Sequence, residues 1–396
     1  MKRIFFYLLL LSPVTYNLSP LTAQTYVWKN GHALLVDPDS ITFVQPDQGL
    51  LIYDSIDNSS HFDYLFTYPT LDHAGKPCVM SAVLYLTPTQ KTSKHIAKMA
   101  LFNHYTILRS DEAPSASEVF DLQAIGLSKG MAVVAADYEG FGATGDRLQA
   151  YCFAEANARA SIDALLAARE WLTKQGYTLS DSILNYGYSQ GGQTAMAALK
   201  LSQTEYRGRV LFLKTIAGAG PYDLRLTFRK FLDWKKIGQP AVLPMSLVSL
   251  NDLFQLGIKD KEVFLEPLAS NVKSWIISKK FSMEEFKLLL GTDSIAKYIQ
   301  PAYCDSTTSQ MQRVLSYVDR MRFTDGWTPD SDSDIKLYHS LNDDLVAPEN
   351  SKQMHQWLLN QGVQNAVLDT TSLPVTHVAS GQYFLLNVIT NDLSNW

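Results

Sequence analysis

Short apolar segments alternate with helical segments along most of this sequence. Residues 99–102, 131–136 and 182–186 have the length and composition of buried strands. Residues 154–175 between them have apolar side chains at helical spacing, and Gly176 follows as a stop signal. Strands that alternate with helices in this way predict an α/β architecture, a mostly parallel twisted sheet with helices on both faces.

Further strand signals lie on either side of this alternating region. Residues 210–216 and 335–339 read as additional strands, and 194–201 as a helix of small and apolar residues. Near the N-terminus, residues 50–53, 64–68 and 79–86 are rich in strand formers, and the last two flank a turn cluster at 72–76. This pattern predicts an antiparallel hairpin at one edge of the sheet.

The strand signals disappear between residues 224 and 333 and then resume. This stretch has helical spacing and Leu-rich patches, and 246–256 and 282–290 have the pattern of amphipathic helices. Because the strand rhythm returns afterwards, we interpret the stretch as an inserted helical cap. The sequence therefore predicts a core formed by residues 24–223 and 334–396, with a cap formed by 224–333.

The first residues have the pattern of a secretory signal peptide. A basic start at Lys2 and Arg3 precedes an apolar run, and small residues before Gln24 provide a cleavage site. The apolar run is too short to span a bilayer as a helix. We therefore expect residues 1–23 to be removed, the protein to be secreted or periplasmic, and no stable membrane span to remain.

Charge and cysteine usage exclude other classes of protein. Lys and Arg number 34 against 39 Asp and Glu, a formal charge of −5, which argues against a nucleic-acid partner. Apolar residues make up 46 %, too many for a disordered chain. The three cysteines are Cys78, Cys152 and Cys304, and none has a second Cys or His at the spacing of metal ligands. We therefore expect buried thiols with at most one disulfide, and the sequence does not specify which two cysteines would form it.

Gly187-Tyr188-Ser189-Gln190-Gly191 matches the pattern G-x-S-x-G. A predicted strand precedes the motif and a predicted helix follows it. A strand-to-helix turn this sharp requires small residues on both sides of the serine, and it presents the serine hydroxyl above the sheet edge. We therefore predict Ser189 as a nucleophile, with the following helix N-terminus favouring negative charge nearby.

A serine nucleophile needs a base and an orienting acid. Three histidines follow Ser189, namely His339, His355 and His377. His377 lies in a loop between a strand-like stretch and a final apolar helix, which suits a base. His355 falls within a helical run, and His339 ends a strand, which indicates a structural role. The turn after that strand contains two acid candidates, Asp343 and Asp344.

The motifs as a set resemble the α/β-hydrolase superfamily, and more narrowly its secreted lipase/esterase branch with a helical cap. The resemblance covers roughly residues 80–390 and is carried by six pieces: residues 103–106 (Asn-His-Tyr-Thr), 137–142 (Asp-Tyr-Glu-Gly-Phe-Gly), 187–192, 217–223 (Ala-Gly-Ala-Gly-Pro-Tyr-Asp), the Asp343 turn and the His377 loop. It departs from the family pattern at Tyr105, where Gly is usual, and at Ser340, where Gly is also usual.

The resemblance implies the α/β-hydrolase fold and a triad in the chain order Ser, acid, His. It assigns Ser189 as nucleophile, His377 as base and Asp343 as acid, with Asp344 as the alternative. The oxyanion hole is expected from the backbone N–H groups of Gln190 and Thr106, with Tyr105 as the alternative to Thr106. No metal ion or organic cofactor is expected.

The function this implies is hydrolysis of a carboxylic ester through an acyl-enzyme, with a small-molecule, lipid or sugar ester as substrate. The alternative is a serine peptidase of the same fold, for which acidic residues of the cap would bind a free N-terminus (Glu262, Glu266, Glu284, Glu285). A second alternative is a non-catalytic binding module. The oligomeric state is not constrained by the sequence.

Overall fold

The computed structural model describes residues 61–117, 121–372 and 375–394, together with strand segments at 26–29, 32–35 and 53–54. Its strands are β1 (Tyr26–Lys29), β2 (His32–Leu35), β3 (Tyr53–Asp54), β4 (Phe62–Leu71), β5 (Pro77–Leu86), β6 (His95–Ile96), β7 (Met99–Asn103), β8 (Ala132–Ala136), β9 (Thr178–Leu179), β10 (Ile183–Tyr188), β11 (Phe212–Gly218), β12 (Ile335–Ser340) and β13 (Ala366–Thr371).

The helices of the described residues are α1 (Pro88–Ser93), α2 (Asp121–Ser128), α3 (Ala154–Lys174), α4 (Gln190–Gln203), α5 (Leu224–Trp234), α6 (Val242–Leu253), α7 (Asp260–Val263), α8 (Leu268–Val272), α9 (Met283–Leu290), α10 (Ser309–Asp319), α11 (Glu349–Asn360) and α12 (His377–Asn387). The predicted signal peptide, residues 1–23, lies outside the described residues. None of the helices described is long and apolar enough to cross a membrane.

Nine of the described strands form one sheet in the order β13-β12-β11-β10-β7-β8-β5-β4-β3. The six neighbouring strands from β13 to β8 in this order run parallel to one another. Beyond β8 each pairing is antiparallel: β5 with β8, β4 with β5, and β3 with β4. Thr70 pairs with Cys78 across the β4–β5 hairpin, and Asp72 accepts a backbone hydrogen bond in its turn. The predicted mostly parallel sheet is thus confirmed, and the predicted hairpin lies towards its antiparallel edge.

Side chains of the central strands alternate between the two faces of the sheet. On β7, Met99 and Leu101 pack in a cluster with α3 and α4, whereas Ala100 and Phe102 pack in a second cluster with α2 and α12. Every residue of β7 and β8 is buried. Because both faces are covered by helices, these strands can be apolar throughout, which explains why their sequences show continuous apolar runs.

The helices α5 to α10 lie between β11 and β12 and contribute most of a second hydrophobic cluster, which also includes Leu108 and Leu345 of the core. Phe231, Leu243, Phe286 and Leu315 are among its buried members. We call this part of the chain the helical segment. The division into a core of 24–223 and 334–396 and a cap of 224–333 remains a proposal, which this second cluster supports.

The two helices predicted within the helical segment are present with shifted bounds. The region 246–256 corresponds to α6, which begins earlier because Pro244 fits the first helical turn. The region 282–290 corresponds to α9. Ser282 Oγ accepts the Glu285 N–H at 3.2 Å, and the Glu285 carboxylate accepts the Ser282 N–H at 2.7 Å, a capping box that starts this helix.

Lys279 connects the helical segment to two loops of the core. Its side chain is 3 % exposed, and Nζ donates to the carbonyl oxygens of Gly140, Gly145 (2.8 Å) and Arg147. Burial lowers the pKa of Lys279 to about 8, so the ammonium form predominates at pH 7. The Lys279 carbonyl in turn accepts the Ser110 N–H at 2.9 Å. One residue therefore fixes the helical segment against both loops.

We expect Lys279→Met to lower the free energy of unfolding by about 2–4 kcal/mol at pH 7, because the variant leaves buried carbonyl groups without a donor. Urea unfolding checks this. Lys280→Met is the matched control, since the neighbouring lysine is exposed, and it should change stability by about 0.5 kcal/mol or less. Equal losses in the two variants would contradict the anchoring role of Lys279.

Candidate active site

Ser189 lies in a sharp turn between the end of β10 and the start of α4. Its backbone has φ +58° and ψ −124°, a conformation that residues other than glycine adopt only under strain. The Ser189 N–H donates to the Gly218 carbonyl oxygen at the end of β11, at 2.8 Å. The neighbouring strand therefore helps to hold the turn in place.

The glycines on either side of Ser189 make the turn possible. A Cβ on Gly187 would overlap the backbone of Gly191, and a Cβ on Gly191 would overlap the carbonyl of Asn103 at the end of β7. The turn therefore packs directly on the chain that leaves β7. From the sequence, we predicted only that these glycines avoid a collision of side chains within the turn. The close approach of Gly191 to Asn103 at the end of β7 is an additional constraint.

The structure brings the side chains of Ser189, His377 and Asp343 into one hydrogen-bonded row. His377 Nε2 lies 2.8 Å from Ser189 Oγ, and His377 Nδ1 lies 2.6 Å from Asp343 Oδ2. All three residues are buried. His377 is the first residue of α12, where Thr376 caps the helix by accepting the Ala379 N–H.

The Asp343 carboxylate is fixed from both sides. Its Oδ1 accepts the N–H groups of Leu345 at 2.9 Å and Val346 at 2.7 Å. Burial alone would raise the pKa of Asp343, but the charges and hydrogen bonds of His377 and His339 outweigh it and hold the pKa well below its usual value. The carboxylate is consequently ionised across the whole physiological range.

Asp344, the alternative acid, has a different contact. Its Oδ1 accepts the backbone N–H of His377 at 2.8 Å. The Tyr188 hydroxyl meanwhile donates to the His377 carbonyl oxygen at 2.7 Å. Asp343 therefore contacts the His377 ring, whereas Asp344 and Tyr188 hold its backbone.

His339 and His355 contact residues other than Ser189. His339 Nδ1 is 2.6 Å from Ser351 Oγ, and its Nε2 is 2.8 Å from the Val346 carbonyl oxygen and 3.5 Å from Asp343 Oδ2. His355 lies on α11, with Nε2 3.0 Å from the Ala366 carbonyl oxygen. The contact between His339 and Asp343 was missed by the sequence analysis, and its only signal was the four-residue spacing after a strand.

The residues predicted for the oxyanion hole lie beside Ser189. Gln190 is the first residue of α4, so its N–H has no acceptor within the helix. Thr106 and Tyr105 both line the cavity that Ser189 and His377 face. Thr106 Oγ1 is 3.0 Å from the Tyr151 hydroxyl, which fixes its side chain. The choice between Thr106 and Tyr105 stays a prediction.

His104 supports the loop that carries these two residues. Its Nδ1 is 2.7 Å from the Tyr105 carbonyl oxygen, its Nε2 is 3.2 Å from that of Asp137, and its ring stacks on Tyr138 at 3.9 Å. Burial lowers the pKa of His104 to about 4, so the ring is neutral at pH 7. Asp137 is itself held by Ser81 Oγ at 2.5 Å. The motif at 137–142 thus supports the predicted oxyanion loop.

A cavity of about 610 Å³ opens beside Ser189 and His377. Core residues, including Tyr188 and Leu345, form part of its wall, and residues of the helical segment form another part.

Among the described residues, no group of three or more His, Cys, Asp or Glu is placed to hold a metal ion. Cys78, Cys152 and Cys304 are free thiols.

Comparisons with known proteins agree with this architecture. Residues 118–241 match the model of the prolyl oligopeptidase family, less than a third of the chain, and this part includes Ser189 but neither Asp343 nor His377. No curated protein matches the chain.

Solved structures resemble the chain over most of its length. The rice cell wall degrading esterase LipA from Xanthomonas oryzae has a TM-score of 0.71 at 22 % identity, covering 85 % of this chain and 92 % of its own. A putative hydrolase from Legionella pneumophila has a TM-score of 0.72 at 20 % identity, covering 89 % and 92 %. Candida antarctica lipase A has a TM-score of 0.60 at 15 % identity, covering 85 % and 78 %. The predicted α/β-hydrolase fold is confirmed.

The low pKa of Asp343 predicts a specific pH dependence of stability. A carboxyl whose folded pKa lies below its unfolded value of about 3.9 stabilises the protein above that pH, and the contribution is lost as the pH falls. We expect the stability difference between the wild type and Asp343→Asn to shrink as the pH falls through about 4, measured by urea unfolding between pH 3 and 6.

Asp344→Asn is the control for this experiment, because it removes the adjacent carboxyl and leaves the contact between Asp343 and the His377 ring in place. Because Asp343 is intact in this variant, its stability should fall below about pH 4 as that of the wild type does. A stability difference for Asp343→Asn that is constant over the whole range would contradict the assigned contact between the Asp343 carboxylate and the His377 ring.

Proposed function

We propose that this chain is an exported serine hydrolase that cleaves carboxylic esters. The observation that carries the proposal is the hydrogen-bonded row of Ser189, His377 and Asp343 at the edge of a cavity. A hydroxyl, an imidazole and a buried carboxylate in this order form the arrangement that activates serine nucleophiles on unrelated folds. The strained backbone at Ser189 further supports a functional role, since such strain concentrates at active sites.

The proposed reaction begins with the ring of His377. Asp343 accepts a hydrogen bond from the Nδ1–H of His377, so Nε2 is free to accept a hydrogen bond from the Ser189 hydroxyl. As Ser189 Oγ attacks the ester carbonyl carbon, its proton moves to Nε2. The ionised Asp343 carboxylate stabilises the imidazolium that forms.

The tetrahedral intermediate carries its negative charge on the former carbonyl oxygen. The N–H groups of Gln190 and Thr106 are the proposed donors to this oxygen, with the N-terminus of α4 adding its positive potential. The intermediate collapses when His377 returns the proton to the departing alcohol, leaving the acyl group on Ser189 Oγ. Water then attacks the acyl-enzyme with His377 as base and releases the acid.

The proposed reaction needs no metal ion or organic cofactor, since the chain supplies the nucleophile, the base and the donors. The substrate is a small-molecule, lipid or sugar ester. Two of the similar structures are of an esterase and a lipase, and both resemble this chain over 85 % of its length. The signal-peptide pattern at residues 1–23 supports a secreted or periplasmic location.

A serine peptidase of the same fold is the second candidate. The match of residues 118–241 to the prolyl oligopeptidase family is the observation that favours it. Glu284 lines the cavity, whereas Glu262 and Glu266 are not among its lining residues. Ester cleavage remains the preferred function because the likeness to an esterase and to a lipase covers 85 % of this chain, whereas the prolyl oligopeptidase match covers only residues 118–241.

We expect Ser189→Ala to abolish hydrolysis of p-nitrophenyl esters, lowering kcat/KM by a factor of about 10⁴ or more, because the nucleophile is removed. The measurement uses esters from acetate to palmitate, at least one of which the wild type should cleave. Ser202→Ala is the matched control, a buried serine on α4 whose hydroxyl bonds the Leu199 carbonyl oxygen. Retained turnover by the folded Ser189→Ala protein would refute the nucleophile.

Ester and peptide cleavage are separated by a second assay. The wild type should hydrolyse a p-nitrophenyl ester and show no measurable turnover of a proline-containing peptide p-nitroanilide. Amides are the harder substrates, and a peptidase requires a site that binds the chain on both sides of the bond. A kcat/KM for the anilide that exceeds the value for the ester would favour the peptidase instead.

A further inference from the structure

The cavity beside Ser189 has an apolar part and a polar part. The apolar part includes Tyr188, Leu345 and Val378. The polar part combines residues of the loop after β7 with residues of the helical segment: Arg109, Glu112, Gln239, Ser282 and Glu284. A substrate held at Ser189 therefore meets a wall whose charges and hydrogen-bond groups are fixed by the protein.

Gln239 and Glu284 both line this cavity and are hydrogen-bonded to each other. Gln239 Nε2 donates to Glu284 Oε1 at 2.7 Å, and this bond fixes the amide, because the reverse orientation would place two acceptors together. Gln239 Oε1 is buried and has no hydrogen-bond partner within the part of the chain that the structure describes. A buried acceptor of this kind is stabilised when a ligand supplies a donor.

The charges of the wall are unequal. Arg109 contributes a positive charge, but its Nε lies 2.5 Å from Asp111 Oδ1 and its Nη1 3.1 Å from Glu285 Oε2. Glu112 and Glu284 both line the cavity, and the Glu112 carboxylate accepts the backbone N–H groups of Leu108 at 3.1 Å and Arg109 at 2.9 Å. Lys287, one turn after Glu284, is not a lining residue and donates to the Gly238 carbonyl oxygen at 3.1 Å. Acceptors and negative charge thus prevail on this wall.

We infer that Gln239 and Glu284 determine the specificity of this site by selecting esters that carry a positively charged or hydrogen-bond-donating group, and that the site disfavours esters carrying a carboxylate. An ammonium group supplies both features, since it gives Gln239 Oε1 a donor and Glu284 an opposite charge. A carboxylate supplies neither and is repelled by Glu284. This inference rests on the proposed ester hydrolysis.

Two esters of nearly equal shape test the inference, 6-aminohexyl butyrate and heptyl butyrate, which differ by an ammonium group in place of a terminal methyl. The ratio of their kcat/KM values is measured by titration of the released acid at pH 7. We expect Glu284→Gln to lower the ratio about tenfold and Gln239→Met about threefold. Glu266→Gln, which removes an exposed carboxylate outside the cavity, should leave the ratio unchanged.

A ratio that stays within about twofold of the wild-type value in Glu284→Gln would overturn the inference. If the wild type cleaves neither this pair nor any p-nitrophenyl ester, the proposed function fails instead. Binding of hexylammonium, followed by isothermal titration calorimetry, then decides the inference on its own. Binding that is weakened in Glu284→Gln and unchanged in Glu266→Gln would support it, and equal binding by all three proteins would overturn it.

Discussion

The turn at Ser189 is the constraint on which the rest of the site depends. A residue with a side chain occupies a backbone conformation that favours glycine, and the surrounding structure has to hold it there. The bond from Ser189 N to the Gly218 carbonyl oxygen ties the turn to β11, and contact between Gly191 and Asn103 ties it to β7. The turn thus sits between two parallel strands at the centre of the sheet.

The other parts of the site meet this turn because parallel strands end at the same edge. β12 leads into the turn that carries Asp343, and the chain after β13 leads to His377. These strands lie on one side of β10, and β7, which leads to Thr106, lies on the other. Ser189 and His377, which are 188 positions apart, therefore meet without any local sequence signal for the contact itself.

Much of this arrangement was predictable from the sequence. The continuous apolar strands, the G-x-S-x-G turn and the position of His377 after the last strand specify the fold and the edge at which the candidate site lies. The register of the turn also favoured Asp343 over Asp344, and the structure places Asp343 against the His377 ring. Both residues lie in the same turn, so only the backbone path could show that Asp344 contacts the His377 N–H instead.

Other features were beyond the reach of the sequence. Lys279 reads as an ordinary surface lysine in a polar stretch, and only the tertiary packing of two loops around it shows that it is buried. The contact of His339 with Asp343 and the cavity-facing position of Glu284 likewise depend on how distant segments pack. Periodicity identifies which face of an element is apolar, but it does not specify which loop a polar side chain meets.

Covalent labelling shows whether the hydroxyl of Ser189 is activated by His377 and Asp343. A fluorophosphonate reacts with serine hydroxyls that an adjacent base has made nucleophilic, and peptide mass spectrometry identifies the labelled residue. We expect a label on Ser189 in the folded protein and its loss in His377→Ala. A label on a different serine, or none on a protein shown to be folded, would contradict it.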